Sequence, residues 1–372
     1  MKLTIDRAAL LKALGHVQSV VERRNTIPIL ANVLITAGEE TLGLTATDMD
    51  LTVEESVAAE VAQAGATTAP AHTLYDIVRK LPDGTQVELA TESGGGQMRL
   101  TAGRSTFQLA TLPKEDFPNV AGGELPQRFE LSGAELRNLV DRTRFAISTE
   151  ETRYYLNGIY LHATKSGDAQ VLRGVATDGH RLARFETALP EGAPGMPGVI
   201  VPRKTVNELR KLIDDSEESV EVALSDSKIR FSFGATVLTS KLIDGTFPDY
   251  ERVIPSGNDK VMTVDRKAFH AGVDRVSTIS TEKSRAVKLT IGDGTLTVSA
   301  TSPDNGHASE ELEIDYNGDQ IEVGFNSRYL LDIAERIDGG TAQFSLSDAA
   351  SPTIVRDVSD GSALYVLMPM RV

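Results

Sequence analysis

One short motif recurs along the chain at nearly constant spacing. ATDMDL begins at Ala46, ATDGHRL at Ala176 and ATSPDNG at Ala300, offsets of 130 and 124 residues. A second series keeps close to the same interval: PAHTLYDIVRKLPDG from Pro70, PRKTVNELRKLIDD from Pro202 and NSRYLLDIAERIDGG from Asn326. A third precedes each of these: DRAALLKAL from Asp6, SGAELRNLV from Ser132 and DRKAFHAGV from Asp265. The interval is far too long for a solenoid unit, which runs to roughly 20–45 residues. The 372-residue chain also exceeds what one hydrophobic core usually organises. The chain therefore reads as one whole domain present three times.

Each copy follows the same local plan. Asp6, Ser132 and Asp265 suit helix N-caps, because their side chains can accept from orphan helix N–H groups. Glu135, three residues after Ser132, completes a capping-box pattern. Pro70 and Pro202 suit the start of the second helix in their copies. Leu74, Ile77, Val78 and Leu81 fall at helical spacing, as do Val206, Leu209 and Leu212, and Leu330, Ile333 and Ile337. Helices are expected over 5–24, 71–81, 132–145, 202–212, 265–276 and 327–337. After each second helix come alternating runs: QVELA, MRLTA and FQLAT; VEVAL, IRFSF and VLTSKL; AQFSL, TIV and LYVLM. Period-two alternation between turn residues predicts half-buried, mostly antiparallel strands. The expected fold class is α+β, with three similar domains at 1–122, 128–255 and 261–372. VAGGELPQ (120–127) and PSGNDK (255–260) are the expected linkers.

Composition excludes several chemistries. There are no cysteines, so disulfides and thiolate metal sites are ruled out. The six histidines show no zinc spacing, and Asp48-x-Asp50 alone is too few ligands for a cation, so a turn is expected there and no metal. TESGGGQM (91–98) lacks the Lys-Ser/Thr of a phosphate loop and reads as a hairpin loop. MKLTIDRAALLKAL lacks the uninterrupted apolar stretch and small-residue cleavage site of a secretory signal, and no window approaches a membrane span. A cytoplasmic protein is expected.

The charge is segregated. The formal net charge is −15, which by itself argues against a polyanionic partner. Yet the six expected helices carry 18 Lys and Arg against 10 Asp and Glu, a net of +8, leaving −23 for the remainder. Helix propensity favours Glu as much as Lys and Arg, so it does not account for the bias. Basic helices turned toward one polyanion would neutralise phosphates without reading sequence.

VATDGHRLARF (175–185) poses a functional question. Asp178 and His180 could form a carboxylate-oriented base, which would make the chain a hydrolase or transferase. A motif repeated with its scaffold is more often structural, and a turn is the favoured reading. A peptide-binding adaptor that encircles nothing is a further alternative.

The order RNTIPILANV (24–33), LTATDMDL (44–51), RYYLNGIYL (153–161), VATDGHRLA (175–183), KLIDGTFPDYERVIP (241–255), FNSRYLLDI (325–333) and YVLMPMR (365–371) strongly resembles the bacterial DNA polymerase III β subunit family, the replicative sliding clamps. The resemblance runs nearly end to end. It implies three DNA-clamp domains per chain, helices lining a channel, antiparallel sheets outside and a head-to-tail ring-shaped homodimer. It implies a processivity factor without catalytic group or cofactor, whose partners are double-stranded DNA, the replicative polymerase, the clamp loader and other proteins carrying a clamp-binding motif.

The same resemblance implies three sets of residues. A peptide-binding pocket would comprise Leu156, Thr177, Gly179, His180, Arg181, Leu182, Pro248, Arg252, Val253, Val366, Met368, Pro369, Met370 and Arg371. An apolar cleft with repackable methionines suits varied linear peptides, and His180 and Arg181 would fix their polar atoms. DNA contacts would come from Arg24, His72, Arg79, Tyr154, Tyr155, Arg203 and Lys204. The dimer joint would pair Arg104, Phe107 and Leu109 with Thr278, Ile279 and the stretch 306–311, including Glu310. Thr73 and Thr106 stand where relatives often carry basic residues, so apolar contact and strand pairing are expected to supply most adhesion.

Overall fold

The computed structural model describes residues 1–91, 96–119, 122–213, 219–280 and 285–371. Among the described residues are six α-helices: α1 Arg7–Gln18, α2 Ala71–Lys80, α3 Gly133–Thr143, α4 Arg203–Leu212, α5 Arg266–Ser277 and α6 Ser327–Ala334. Each lies inside its expected segment but for the last residue of α5, and most are shorter than expected. Residues 19–24, which continue the pattern of α1, form turns instead. The loop reading of TESGGGQM falls largely on 92–95, outside the described residues, as do parts of the linker at 120–127.

The caps follow the sequence. Asp6 accepts from the amides of Ala8 and Ala9, and Asp265 from that of Ala268. Ser132 and Glu135 form the reciprocal box: Glu135 N–H donates to the Ser132 hydroxyl at 3.1 Å, and Ser132 N–H to Glu135 Oε2 at 2.9 Å. In each copy the opening strand runs straight into this cap and pairs antiparallel with the strand after the second helix. Lys2–Asp6 pairs with Gln86–Thr91, Gln127–Ser132 with Ser219–Leu224, and Lys260–Asp265 with Thr341–Leu346.

The chain clusters into two compact units. The first, residues 1–136, 190–193 and 204–242, holds a five-stranded and an eight-stranded sheet. The second, residues 137–189, 194–203 and 243–372, holds an eight-stranded and a four-stranded sheet. The middle copy is thus divided. Its strands at 127–132 and 219–241 extend a sheet begun by the first copy, and those at 158–202 belong with strands of the third. Every strand pairing is antiparallel, and alternate residues point into the layer beneath the helices. In the first unit α1 packs on α2, and in the second α5 packs on α6, each pair over a sheet.

Candidate functional site

The ATD motif is a turn in both places where it is intact. Thr177 Oγ1 donates to the carbonyl of Arg181 at 2.7 Å and accepts from Gly179 N–H at 3.1 Å. Asp178 Oδ1 accepts from the amides of His180 and Arg181 at 2.9 and 3.0 Å. Its second oxygen takes Arg181 Nε at 3.1 Å. Both oxygens are spent on the turn, and the His180 ring lies instead against Tyr329, 6.4 Å between centroids and tilted 26°. Asp178 does not orient the imidazole, so the base-and-orienter arrangement is not formed.

Around this turn the second unit builds an apolar cluster. Leu182 lies opposite Val366 in register, and both join Leu156, Val175, Ile200, Phe247, Tyr250, Ile354 and Leu364 in one buried cluster. The chain then leaves the sheet: Met368 N–H donates to the His180 carbonyl at 2.9 Å, and Met370 N–H to that of Gly324 at 2.9 Å. Met368 is exposed, Pro369 and Met370 half-buried, and Arg371 exposed. On the other side Pro248, Arg252 and Val253 are exposed, the last two on a 3₁₀ turn over Tyr250–Val253. Of the residues expected to line a pocket, Leu156, Leu182 and Val366 share this buried cluster, and Tyr250 beside Arg252 and Val253 joins it.

Arg181 departs from the expected role. Its guanidinium is 9% exposed, pairs with Asp332 of α6, and donates to the Phe145 carbonyl at 2.6 Å. It also lies 4.3 Å over the Tyr329 ring. Nε, Nη1 and Nη2 each hold a protein acceptor, so the guanidinium ties Asp178, Asp332 and the Phe145 carbonyl together. The sequence reading also passed over Arg153. Its Nη2 donates to the Asp178 carbonyl at 3.1 Å, and it pairs with Glu150 at 2.7 Å. Gly179 has φ of +88°, a conformation that favours glycine, and a Cβ there would lie 2.6 Å from Arg153 Nη1, so any other residue would also displace the end of that side chain. The Glu150–Arg153 spacing of i, i+3 was the available signal.

At the Tyr250 edge of this cluster lies a polar knot that the sequence did not announce. His162 Nε2 is 3.0 Å from the Tyr250 hydroxyl, and Arg173 Nη1 is 2.7 Å from it. Burial, with the positive field of Arg173 second, pushes the His162 imidazole down to about 4, so it is neutral.

The residues expected to face DNA divide between the units. In the first, Arg24 is exposed. Arg79 is exposed and paired with Asp76 at 3.1 Å. His72 turns inward, with Nε2 2.8 Å from the Val21 carbonyl and Nδ1 2.8 Å from Gln18, so both ring nitrogens are already bonded. Lys204 reaches Glu22 at 2.9 Å and also pairs with Asp48. Burial opposes its charge, but hydrogen bonds to Asp48 and Glu22 outweigh this and raise its pKa. In the second unit Arg203 is exposed, and Tyr154 and Tyr155 meet edge to face at 5.8 Å, with Tyr154 about half exposed.

The residues expected at a joint sit on two sheet edges. Phe107 and Leu109 are on Ser105–Ala110, the last strand of the five-stranded sheet, with Arg104 in the turn before it. Phe107 is half-buried; Leu109 packs into its own sheet's core. Glu310 is on Gly306–Glu313, the first strand of the four-stranded sheet. Thr278 and Ile279 follow α5. Glu310 is held by Arg275 through both carboxylate oxygens, which lowers the Glu310 pKa.

A thrice-repeated two-helix unit, antiparallel sheets with unpaired ends and a charged motif consumed by turns define a non-catalytic scaffold built by domain triplication. Three comparisons specify which. The N-terminal, central and C-terminal domains of the DNA polymerase III beta subunit match residues 1–121, 130–249 and 251–371. The Beta sliding clamp of Caulobacter vibrioides is 55% identical over the full length of both chains. The sliding clamp of Bartonella birtlesii, solved bound to griselimycin, superposes with a TM-score of 0.97 at 53% identity, covering all of both chains. That of Pseudomonas aeruginosa, also bound to griselimycin, gives 0.95 at 40% with the same coverage. The chain belongs to the DNA polymerase III beta subunit family, the bacterial sliding clamps.

Proposed function

We propose that two copies of this chain close head to tail around duplex DNA and hold the replicative polymerase and other partners on it through the apolar cleft, in the cytoplasm. One observation carries the ring: the arithmetic of unpaired strands. The fourth-strand position of the first copy, Leu51–Ala58, pairs with the final strand of the second, Thr236–Lys241. Its counterpart in the second copy, Arg181–Ala188, pairs with the final strand of the third, Ala363–Leu367. The counterpart in the third copy, Gly306–Glu313, has no such partner, and the one final strand left over is Ser105–Ala110 of the first copy. A second chain supplies the missing partner, and the contact is heterologous. Such contacts form rings when the rotation closes, and they remove both exposed edges.

The register carries over as well. Leu238 lies opposite Val53, and Tyr365 opposite Ala183. The equivalent residues are Phe107 and Ala308, a large apolar side chain facing a small one for the third time. Adhesion then comes from this packing and the strand ladder, while Glu310 stays with Arg275.

A closed ring needs no tight grip on DNA. Exposed cations such as Arg24 and Arg203 neutralise phosphates without touching base edges, so the ring slides. A polymerase tethered to it meets the template at high effective concentration. No helix among the described residues is long and apolar enough to cross a membrane. Protein assembled on nicked circular duplex is expected to be retained at moderate salt and lost once the circle is linearised. Equal retention on both forms overturns the ring. For the cleft, griselimycin, which relatives bind, is the probe: Met368→Asp is expected to abolish its binding and leave the dimer intact.

A further inference from the structure

We propose that the Tyr250 hydroxyl, pinned between His162 and Arg173, sets the position of residues 247–253 on the edge of the cleft, making Tyr250, His162 and Arg173 positioning residues for peptide docking. The inference rests on the cleft being the docking site. Pro248, Arg252 and Val253 form that edge, yet they have little hold of their own. Arg252 pairs with Asp249 inside the same segment, and Val253 is 49% exposed. Their placement comes from the residues between and beside them.

The hold is built from two sides. Arg173, on strand Ala169–Thr177, is 3% exposed. Its Nη1 donates to the Tyr250 hydroxyl at 2.7 Å and to Glu251 Oε1 at 2.6 Å. One guanidinium therefore ties two consecutive residues of the segment to the sheet. Its Nε donates to Glu186 Oε1 at 3.1 Å, and Arg184 reaches the same oxygen at 3.2 Å. At the other end Phe247 lies flat on Tyr160, 4.9 Å between centroids at 10°, and Tyr160 lies flat on His162 at 4.5 Å and 19°. The stack ends at the imidazole whose Nε2 meets the Tyr250 hydroxyl.

Charge balance fits a fixed knot. Arg173 pairs with Glu186 and Glu251, and Arg184 with Glu186, while a neutral His162 adds no charge to the set. Burial of the Tyr250 ring among Leu156, Leu182 and Val366 already secures the fold locally. A buried ion pair adds little net stability over an apolar replacement, but hydrogen bonds converging on one hydroxyl restrict the geometry it can adopt. Here that geometry is the height and tilt of the 3₁₀ turn bearing Arg252 and Val253.

Tyr250→Phe removes the hydroxyl and keeps the ring; His162→Gln is the second variant, in case the first folds poorly. Griselimycin binding is expected to weaken about tenfold in each, because the segment is no longer held at the Tyr250 hydroxyl in the geometry that docks it. Melting should change little. Amide exchange at Ile254, whose N–H donates to the Glu251 carbonyl at 3.2 Å, should quicken while strand Arg181–Ala188 keeps its protection. Met368→Asp is the control for the cleft. If it abolishes binding while Tyr250→Phe and His162→Gln bind as the wild type does, the positioning role is overturned and the cleft stands. If Met368→Asp binds normally, the cleft reading falls, and exchange at Ile254 alone decides: quickening supports the knot as the anchor of the segment, and no change overturns it.

Discussion

Asp48 and Asp178, one repeat apart, bind the backbone in the same way. Each Oδ1 accepts from the amides two and three residues ahead, at 2.9 and 2.7 Å for Asp48 and 2.9 and 3.0 Å for Asp178. The preceding threonine in each case donates to the carbonyl four residues on and accepts from the amide two residues on. Ser302 keeps a reduced form, its hydroxyl accepting from Asn305 N–H at 3.3 Å. The second carboxylate oxygen is where the copies diverge: Asp178 holds Arg181, and Asp48 holds Lys204. A turn inherited by duplication has been put to two uses, one bracing the cleft and one restraining a cation.

The turn predicts a pair of opposite stability effects. Asp178→Ala leaves two backbone amides without their side-chain acceptor and is expected to cost about 1–2 kcal/mol by urea unfolding. Met49 occupies the position of Gly179 with φ at +81°, a conformation costly for any residue with a Cβ. Met49→Gly is expected to stabilise the protein by a fraction of a kcal/mol or more, roughly up to 1. Stabilisation by Asp178→Ala or destabilisation by Met49→Gly would show the turn to be incidental.

Arg181 is expected to be worth more to the fold than to a ligand. Arg181→Met leaves Asp178 and Asp332 facing each other without their cation, at a cost of about 3–5 kcal/mol. Arg181→Lys should recover little, because a point charge cannot span Asp178, Asp332 and the Phe145 carbonyl together. Full stability in either variant, measured by denaturant midpoint, would return Arg181 to the list of free pocket donors.

These residues also show where sequence reasoning reached and where it stopped. The helices and the closing strands of each copy were legible because period and caps are local properties, and Asp6, Ser132 and Asp265 declare themselves within four residues. Leu156, Leu182 and Val366 were placed together by resemblance, and the structure brings them into one cluster. The state of each polar group was not legible. Whether Arg181 is free depends on Asp332, 151 residues away, and whether His72 is free depends on Gln18 and Val21. Burial and pairing are decided by tertiary contacts, which no short window contains.

Glu22 and Asp48 hold Lys204, one of the cations proposed to face DNA. Glu22→Gln is expected to release that cation, tighten binding to a duplex at low salt, and steepen the dependence of log K on log salt by about one unit. Arg203→Ala should shift both in the opposite direction. The check is fluorescence anisotropy with one labelled duplex across a salt series. Unchanged slopes for Glu22→Gln beside a weakened Arg203→Ala would mean that Lys204 does not face the polymer.

His162 gives stability a defined acid limb. Its folded value of about 4 lies below the roughly 6.5 of an unfolded histidine, so between the two the unfolded chain takes up a proton that the fold refuses. The contribution is full above about pH 6.5, declines as pH falls toward 4, and is constant below. After allowance for the partial exposure of the ring, the limb amounts to about 2 kcal/mol. The stability difference between wild type and His162→Gln should therefore vary with pH across that window and be flat on either side. A difference independent of pH would place the imidazole in solvent.

The unpaired edges make the joint testable at single-residue precision. If Gly306–Glu313 of one chain takes Ser105–Ala110 of another in the register used twice inside the chain, Phe107 and Ala308 lie directly opposite, as Leu238 and Val53 do. Directly opposed residues on antiparallel strands bring Cβ atoms to roughly 4.5–5.5 Å, close enough for a disulfide with slight adjustment. The chain has no cysteine, so Phe107→Cys combined with Ala308→Cys introduces the only thiols present. Mild oxidation should give one species of twice the chain mass, with both joints closed, that stays on circular DNA under denaturing salt. Each single variant should stay uncrosslinked, because its two thiols would sit at separate joints. A slipped register would move the crosslink to a neighbouring pair such as Thr106 with Ser309, and crosslinking within one chain would end the case for two chains closing on each other.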